Sequence, residues 1–391
     1  MGKVYSYGRQ TIGDDDIREV TNVLRADFLT QGPAVGVFEQ GLAETLKSHH
    51  ACAVSSGTAA LHLASLALGW KPGDLVITSP LTFLASANCI LYAGATPDFV
   101  DIDSTTYTMD VGLLSKKVED LSRKGKSIKA VVAVDYAGQP CDWKGLRTLA
   151  DKHGFQLVND SCHALGAAYE GDTGYAVRYA DVAILSFHPV KHITTGEGGA
   201  VLTMREDLDA RLRIFRNHGM TKDPNRLERN DGPWYYEMQE LGFNYRITDI
   251  QCALGTSQLR KLAGNLEARR RIALSYDKLF GSDSRFITPR TASYATHAYH
   301  LYPLQINVSK VPRSKREIFE DLRQNGINCQ VHYIPVHLQP YYRRKFGWKA
   351  GDFPLAEEFY AREISIPMYP GLTEQDVSFI AGRIMRAVGE V

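Results

Sequence analysis

The pattern of apolar and polar positions divides the chain into two parts. From about residue 50 to residue 205, short apolar runs alternate with segments of helical periodicity. The runs are rich in Val, Ile and Leu without strict alternation, which is typical of strands buried on both faces of a parallel sheet. They predict seven strands of one sheet, at residues 51–54, 75–78, 98–101, 130–134, 155–158, 182–185 and 199–202.

Apolar residues at spacings of three and four predict the helices. Those of the first part cover residues 35–47, 58–68, 84–93 and 143–153, and a longer helical pattern runs from 248 to 280. The second part mixes predicted strands at 299–306 and 328–333 with helices at 314–324, 355–364 and 374–388. The sequence therefore predicts an α/β fold, with a large domain over 1–245 and a smaller C-terminal α+β domain over 246–391. Residues 223–240 are predicted to form the longest loop.

The charge balance narrows the possible functions. The 391 residues include 45 Lys and Arg against 44 Asp and Glu, a formal net charge of +1. Such a balance creates no long-range field that attracts a polyanion, so we expect neither a nucleic-acid partner nor binding to an anionic membrane. A small anion can still bind, because it needs only a helix N-terminus or a few local cations.

Two stretches without acidic or basic residues, 51–70 and 75–97, raise the question of a membrane span. Polar residues and Pro interrupt them, so we predict buried strand-turn-helix units instead. No apolar segment typical of a signal peptide follows the N-terminal charge, which leads us to expect a cytoplasmic protein. The six cysteines form no C-x-x-C pair, and no further ligand completes the i,i+4 pair His188 and His192. We therefore expect reduced thiols and no metal.

Four features that follow predicted strands carry candidate chemistry. The first is Ser55-Ser56-Gly57-Thr58, where a glycine turn leads into an alanine-rich helix. The unpaired N–H groups and the dipole of a helix N-terminus favour a phosphate at this position. An ordinary Ser or Thr N-cap is the alternative interpretation.

Asp160 and Lys191 are the charged candidates. Asp160 follows a buried strand at the carboxyl edge of the sheet, where open α/β folds bind ligands. A protonated pyridine nitrogen would satisfy its carboxylate, and a carboxylate that caps a turn or pairs with an Arg is an equally good interpretation. Lys191 follows the strand at 182–185, and a lysine with a depressed pKa can form a Schiff base, although most lysines are solvated surface charges. Ser186, at the end of that strand, can donate a hydrogen bond to a phosphate.

Phe83 is the fourth feature, because it follows another strand in a position to stack on a flat ring. A core phenylalanine is the commoner alternative. Taken together, a phosphate cradle, a carboxylate for a pyridinium, a Schiff-base lysine and a stacking aromatic side chain are the parts that pyridoxal 5′-phosphate requires.

The same residues in the same order resemble the DegT/DnrJ/EryC1/StrS family of sugar aminotransferases, and the resemblance runs nearly from end to end. It rests on residues 28–33, 38–39, 56–58, 160–164, 186–199 and 242–246. The resemblance implies the fold type I architecture of pyridoxal 5′-phosphate-dependent aminotransferases, with a seven-stranded, mostly parallel sheet in the large domain. It also implies a homodimer with shared active sites.

The resemblance further implies a role for each matched residue. Lys191 would hold the cofactor and shuttle protons, and Asp160 would bind the pyridine nitrogen. The other implied cofactor contacts are Phe83 on the ring face, His163 at the phenolic oxygen, Gly57, Thr58 and Ser186 at the phosphate, and Asn244 at the partner subunit's phosphate. Thr30, His332, Tyr333 and His337 would hold the nucleotide sugar.

Within the family, residues 138–142, 188–195, 231–236 and 331–337 are similar to the branch that aminates C4 in pseudaminic acid biosynthesis. This similarity implies that L-glutamate and a UDP-linked 4-keto-6-deoxy-N-acetylhexosamine are converted to UDP-4-amino-4,6-dideoxy-N-acetyl-β-L-altrosamine. Three alternatives stay open: a C4-aminotransferase for another nucleotide sugar, a pyridoxamine-dependent dehydratase, and a non-catalytic sugar-nucleotide binding protein. The dehydratases carry a histidine where Lys191 stands, which disfavours the second.

Overall fold

The computed structural model describes residues 3–389, so residues 1–2 and 390–391 of the two predicted domains lie outside the described part. Its helices are α1 (Asp14–Leu24), α2 (Pro33–Thr45), α3 (Gly57–Ala67), α4 (Leu84–Tyr92), α5 (Val111–Arg123), α6 (Trp143–His153), α7 (Tyr175–Tyr179), α8 (Glu206–Arg216), α9 (Asp249–Leu259), α10 (Leu262–Phe280), α11 (Lys315–Gln324), α12 (Pro340–Phe346), α13 (Pro354–Arg362) and α14 (Glu374–Ala387).

The strands are β1 (Tyr5–Ser6), β2 (His50–Val54), β3 (Leu75–Thr78), β4 (Thr96–Phe99), β5 (Ala130–Val134), β6 (Gln156–Asp160), β7 (Ala168–Tyr169), β8 (Val182–Ser186), β9 (Gly199–Thr203), β10 (Met220–Thr221), β11 (Glu237–Met238), β12 (Phe286–Ile287), β13 (Ala295–Thr296), β14 (Tyr302–Ile306), β15 (Ile327–Asn328) and β16 (Glu363–Ile366).

The seven predicted strands form one sheet in the order β2-β9-β8-β6-β5-β3-β4. All are parallel except β9, which runs antiparallel to both β2 and β8. The predicted fold class is thereby confirmed. Strand β4 begins and ends two residues earlier than predicted, because Thr96 pairs with Leu75 at the start of β3. Strand β6 extends to Asp160, so this carboxylate is the last residue of the strand and does not follow it.

The two faces of this sheet are buried under separate layers of helices. Val131 packs with α2 and α6 side chains such as Phe38 and Leu146. Its neighbour Val132 points to the other face and packs with α3 residues such as Leu63. Successive strand residues face opposite sides, so burial on both faces explains the lack of alternation in the sequence.

The C-terminal part contains an antiparallel sheet in the order β12-β14-β16. Helices α10, α11 and α14 cover it through a core that includes Tyr276, Ile318 and Ile380. The helical pattern at 248–280 is divided into α9 and α10. Of the strand predicted at 328–333 only Asn328 is in a strand, and it pairs with Ser6 of β1. The domain boundary at residue 245 stays a prediction.

No helix within residues 3–389 combines the length and apolar character that crossing a bilayer requires. The two uncharged stretches instead supply β2, α3, β3, α4 and the start of β4.

Candidate active site

A cleft of about 590 Å³ opens at the carboxyl edge of the parallel strands. Most of the residues singled out in the sequence line it: Gly57, Thr58, Phe83, Asp160, His163, Ser186, Lys191, His332 and Tyr333. The topology explains this convergence, because the carboxyl ends of parallel strands meet at one edge of a sheet.

The start of α3 forms one wall of the cleft. Ser56 is the N-cap of this helix, and its hydroxyl oxygen accepts a hydrogen bond of 3.1 Å from the N–H of Ala59. A Cβ on Gly57 would lie 2.9 Å from Cβ of Ser186, so only glycine lets the helix approach the end of β8 this closely. The N-cap interpretation is therefore correct for Ser56, while Gly57 and Thr58 present the helix N-terminus to the cleft.

Asp160 is buried at the centre of the carboxyl edge. Its Oδ2 accepts a hydrogen bond of 2.6 Å from the Ser86 hydroxyl, and its Oδ1 accepts one of 3.2 Å from the backbone N–H of Cys162. No Lys, Arg or His in the described chain forms an ion pair with this carboxylate. The alternative of an Arg partner is thus excluded within residues 3–389, whereas Oδ1 does cap the turn that begins at Cys162, as the other interpretation expected. A cationic group of a ligand would compensate the buried charge.

Lys191 lies in the connection between β8 and β9, residues 187–198. The backbone N–H of Phe187 donates to the carbonyl oxygen of Gly198 at 2.8 Å and closes this connection at its base. Burial lowers the pKa of Lys191, while the charges of Cys162 and Asp160 act in the opposite direction. A lowered pKa raises the fraction of neutral amine, which is the nucleophilic form.

The hydrogen bonds of His163 define which ring nitrogen carries its proton. The backbone N–H of Ala137 donates to Nδ1 at 3.3 Å, and Nε2 lies 3.1 Å from the hydroxyl of Tyr333. Burial, followed by the charge of Lys191, holds the pKa of His163 well below its ordinary value of 6.5, so the ring is neutral. Nε2–H therefore donates to Tyr333, whose own O–H is left to donate elsewhere in the cleft.

Phe83 is 56% exposed even though it lies between strand and helix at the N-cap of α4. This exposure rules out the core interpretation. Its ring lies 5.9 Å from that of Tyr333, centroid to centroid, and lines the cleft. An aromatic face open to a cleft is suited to stacking on a flat ligand.

Three of the predicted site residues do not line this cleft. Thr30 and Asn244 are exposed and form isolated bridges with Thr248 and Asn217. His337 is fully buried, with Nε2 2.9 Å from Oε1 of Glu357. The prediction that His337 contacts the nucleotide sugar finds no support in this geometry, because the ring is buried against Phe353 and paired with Glu357.

Several cleft residues were not identified from the sequence. Ser86 binds Asp160, and Thr82 lies 2.7 Å from the Ser86 hydroxyl. The position of Ser86 three residues after Phe83, on the first turn of a predicted helix, could have indicated it. Tyr7 and His300 also line the cleft, and no local pattern indicates either.

These side chains fit pyridoxal 5′-phosphate. The helix N-terminus with Ser186 is suited to the phosphate, and the buried carboxylate of Asp160 lacks the cation that a protonated pyridine nitrogen supplies. Phe83 offers a ring face, and Lys191 offers an amine with a lowered pKa. The described chain contains no cluster of three or more His, Cys, Asp or Glu residues arranged for a metal ion.

Comparison with known proteins gives consistent results. The model of the DegT/DnrJ/EryC1/StrS aminotransferase family matches residues 10–385. The spore coat polysaccharide biosynthesis protein SpsC of Bacillus subtilis is 39% identical over 376 residues, which cover 95% of this chain and 94% of SpsC.

The UDP-4-amino-4,6-dideoxy-N-acetyl-β-L-altrosamine transaminase of Campylobacter jejuni is 38% identical over 389 residues, 99% of this chain and 98% of that protein. Among solved structures, Helicobacter pylori PseC, an aminotransferase of pseudaminic acid biosynthesis, superposes with a TM-score of 0.90 at 32% identity and covers 99% of both chains.

Proposed function

Because the chain belongs to the DegT/DnrJ/EryC1/StrS aminotransferase family, we propose that it transfers the amino group of L-glutamate to C4 of a UDP-linked 4-keto-6-deoxy-N-acetylhexosamine. The product would be UDP-4-amino-4,6-dideoxy-N-acetyl-β-L-altrosamine. The protein is a pyridoxal 5′-phosphate-dependent nucleotide-sugar aminotransferase. One observation supports this chemistry most directly. Lys191 lines the same cleft as the carboxylate of Asp160, which forms no ion pair within residues 3–389.

The residues of the cleft divide the work. When bound, pyridoxal 5′-phosphate would supply an electron sink for the electron pair left behind when a proton leaves the carbon that bears the amino group. Nζ of Lys191 takes that proton and returns it, and its lowered pKa favours the neutral amine that can do so. Asp160 keeps the pyridine nitrogen protonated. Gly57, Thr58 and Ser186 hold the phosphate.

The choice of sugar rests on the altrosamine transaminase and PseC, which are similar over nearly the whole chain. SpsC is as similar in sequence, but its name refers to the spore coat polysaccharide and not to altrosamine or pseudaminic acid. Another nucleotide 4-keto-6-deoxy sugar is therefore the second candidate substrate.

The shared-site homodimer is part of the proposal. Asn244 is exposed outside the cleft of its own chain. Apolar side chains near it in sequence are also exposed, including Trp234 at 72% and Leu241 at 77%. A second copy of the chain would cover these groups and bring Asn244 to the phosphate of its partner.

A mass-spectrometric assay with glutamate and a panel of UDP- and dTDP-linked 4-keto-6-deoxy sugars tests the substrate. We expect amination of the UDP sugar that carries a 2-acetamido group. Amination only of dTDP sugars, or only of sugars without that group, would contradict the proposed substrate and leave the family activity intact.

Borohydride reduction of the cofactor-loaded protein, followed by peptide mass spectrometry, tests the attachment site. We expect the pyridoxyl group on Lys191 and none in Lys191→Ala. Labelling of another lysine would overturn the role of Lys191. A protein that holds cofactor but does not convert glutamate to 2-oxoglutarate would be a binding protein.

A further inference from the structure

A buried chain of hydrogen bonds runs from the C-terminal sheet to the cleft. Oε1 of Glu363 accepts a hydrogen bond of 2.5 Å from the Ser365 hydroxyl, and this hydroxyl lies 2.8 Å from Nδ1 of His332. Glu363 and Ser365 are two residues apart on β16, so their side chains share one face of the strand. The three side chains are buried, and His332 lines the cleft.

Backbone hydrogen bonds hold Glu363, Ser365 and His332 in position. Ser365 and Gln330 exchange backbone hydrogen bonds of 2.7 and 3.1 Å, which hold the segment before His332 against β16. The N–H of His332 donates to Oε2 of Glu363 at 3.0 Å. Glu363 therefore has one oxygen reserved for a backbone donor and the other for Ser365.

The arrangement leaves Nε2 of His332 for the cleft. Within residues 3–389, Nε2 has no hydrogen-bond partner, although Nδ1 has one. Nε2 is also absent from the set of unpaired polar atoms that are inaccessible to solvent. Burial lowers the pKa of His332 to about 3, so the ring is neutral and carries one proton. The position of that proton decides whether Nε2 accepts or donates a hydrogen bond.

We propose that Glu363, acting through Ser365, sets the hydrogen-bonding role of His332 toward the bound substrate. When the carboxylate is ionised, Ser365 donates to it, so Nδ1–H must donate to Ser365 and Nε2 accepts. When the carboxyl group is protonated, it donates to Ser365, Ser365 donates to Nδ1, and Nε2–H donates into the cleft. Glu363 and Ser365 are positioning residues, because neither lines the cleft itself.

The change between the two roles falls within an accessible pH range. Burial raises the pKa of Glu363 to about 8, whereas the charge of Lys315 on α11 lowers it. The other ionisable groups near these hydrogen bonds are the Cys329 thiol, the Tyr136 and Tyr333 hydroxyls and, toward His332, Lys191 and His163. The Tyr7 ring packs on His332 at 5.0 Å between centroids. Nε2 is therefore expected to donate below pH 8 and to accept above it.

The substitution Glu363→Gln separates the two states without changing the shape of the side chain. The N–H of His332 requires an acceptor, so the amide oxygen must face it and the NH₂ group must face Ser365. Ser365 then donates to Nδ1, and His332 is held with its proton on Nε2 at every pH. The substitution Ser365→Ala instead removes the hydroxyl group that links Glu363 to His332.

Nitrogen-15 NMR of histidine-labelled protein, without substrate, tests the proposal. The resonances are assigned by their loss in His332→Asn. Above pH 8, we expect a pyridine-like Nε2 in the native protein and a pyrrole-like Nε2 in Glu363→Gln. The matched control is Glu357→Gln, which alters the partner of the buried His337 and should leave the His332 spectrum unchanged.

The same tautomer in the native protein and in Glu363→Gln above pH 8 would overturn the proposal, as would a His332 ring that titrates to its cationic form. If Glu363→Gln does not fold, Ser365→Ala provides the test. A His332 tautomer that still changes with pH in that variant contradicts the proposal that Glu363 acts through Ser365, which we call the relay.

A kinetic measurement, which rests on the proposed function, connects the tautomer to the substrate. Glu363→Gln is expected to change KM for the nucleotide sugar and to leave the rate of 2-oxoglutarate formation from glutamate unchanged. The NMR result stands if the enzyme proves to use a different sugar, so failure of the proposed function and failure of the relay are distinguishable. An equal loss in both half-reactions would indicate a merely structural role.

Discussion

At the scale of single residues, Asp160 is a buried carboxylate held by two neutral donors, the Ser86 hydroxyl and the Cys162 backbone N–H. Neutral donors fix its orientation without neutralising its charge. The charge is thus left for the pyridine nitrogen of the cofactor, the group that we propose it keeps protonated.

Replacing Asp160 with Asn should preserve the shape and remove that charge. We expect Asp160→Asn to bind cofactor and to lose about 10²- to 10⁴-fold in turnover, the range for loss of a proton-holding group. The absorbance of bound cofactor and the steady-state rate measure the two effects. Ser86→Ala is the control and should have a much smaller effect, because the carboxylate stays. Near-normal turnover in Asp160→Asn would remove this residue from its assigned role.

Three buried histidines lie close together behind Lys191. The rings of His163 and His300 are 4.4 Å apart, and those of His192 and His300 are 5.6 Å apart, centroid to centroid. Burial holds the pKa of each well below the ordinary value of 6.5. All three are neutral in the folded protein, so they add no positive charge beside Lys191.

This cluster predicts sensitivity to acid. Below pH 6.5 the unfolded chain protonates these histidines and the folded protein does not, so stability falls as the pH falls. Each histidine contributes up to about 1.4 kcal/mol per pH unit. Urea unfolding on both sides of pH 6.5 measures how steeply the free energy of unfolding depends on pH. In His192→Gln this slope should correspond to the uptake of one proton fewer on unfolding. An unchanged slope in that variant would contradict the prediction.

Residue types in sequence identified the centre of the site better than its surroundings. Lys191 and Phe83 follow a strand and Asp160 ends one, and these positions are visible in the local pattern. The contacts of Ser86 with Asp160 and of Tyr333 with His163 link residues 74 and 170 positions apart, so no local pattern contains them. His337 is assigned to the substrate by the family resemblance alone, which does not reveal that its ring is buried away from the cleft.

At the scale of elements, the start of α3 and the end of β8 approach each other across Gly57. A Cβ at this position would also lie 3.3 Å from the Ser186 hydroxyl oxygen. The two elements that we propose to hold the phosphate are therefore so close that a side chain larger than that of glycine would force them apart.

Gly57→Ala should separate α3 from β8. We expect cofactor affinity to fall roughly tenfold, about 1.4 kcal/mol, because the helix N-terminus and Ser186 no longer converge on one phosphate. Titration of the cofactor-free protein with pyridoxal 5′-phosphate measures the change. Gly36→Ala on α2 is the control, since a Cβ there meets nothing within 4 Å. Equal affinities in the two variants would contradict the assignment of the phosphate site.

Elements were predicted well where they are apolar and long, and less well at their ends. The seven strands of the large sheet have continuous apolar runs that only a doubly covered sheet buries, so the pattern alone located them. Strand β4 differs because its partner β3, and not its own composition, sets its limits. The strand predicted at 328–333 is cut short because Gln330 turns to bridge Ser365 on β16.

At the scale of the whole molecule, the N-terminal strand β1 belongs with the C-terminal part of the chain, since it pairs with β15. Helix α9, which follows residue 245, packs against α1 and α2 of the first part. A boundary read along the sequence cannot show such exchanges, because they depend on contacts between distant segments.

The proposed dimer leads to a complementation experiment. If Asn244 acts in the partner's site, mixing Lys191→Ala and Asn244→Ala chains creates one intact site in each mixed dimer. We expect the mixture, after unfolding and refolding together, to regain part of the activity that each variant lacks. No gain in activity would contradict shared sites.

The substitution Trp234→Ser should shift sedimentation toward the monomer, because it removes an exposed apolar group from the proposed interface.

The closed base of the connection at 187–198 has a consequence for altering this protein by design. Ser186 pairs with Gly199, and Phe187 binds Gly198, so the two strands keep their register whatever lies between. Substitutions within residues 188–197 are therefore not expected to shift the register of β8 against β9. A single insertion inside β8 or β9, by contrast, would turn every following side chain to the opposite face. An insertion is therefore expected to disturb the sheet less between Phe187 and Gly198 than within either strand.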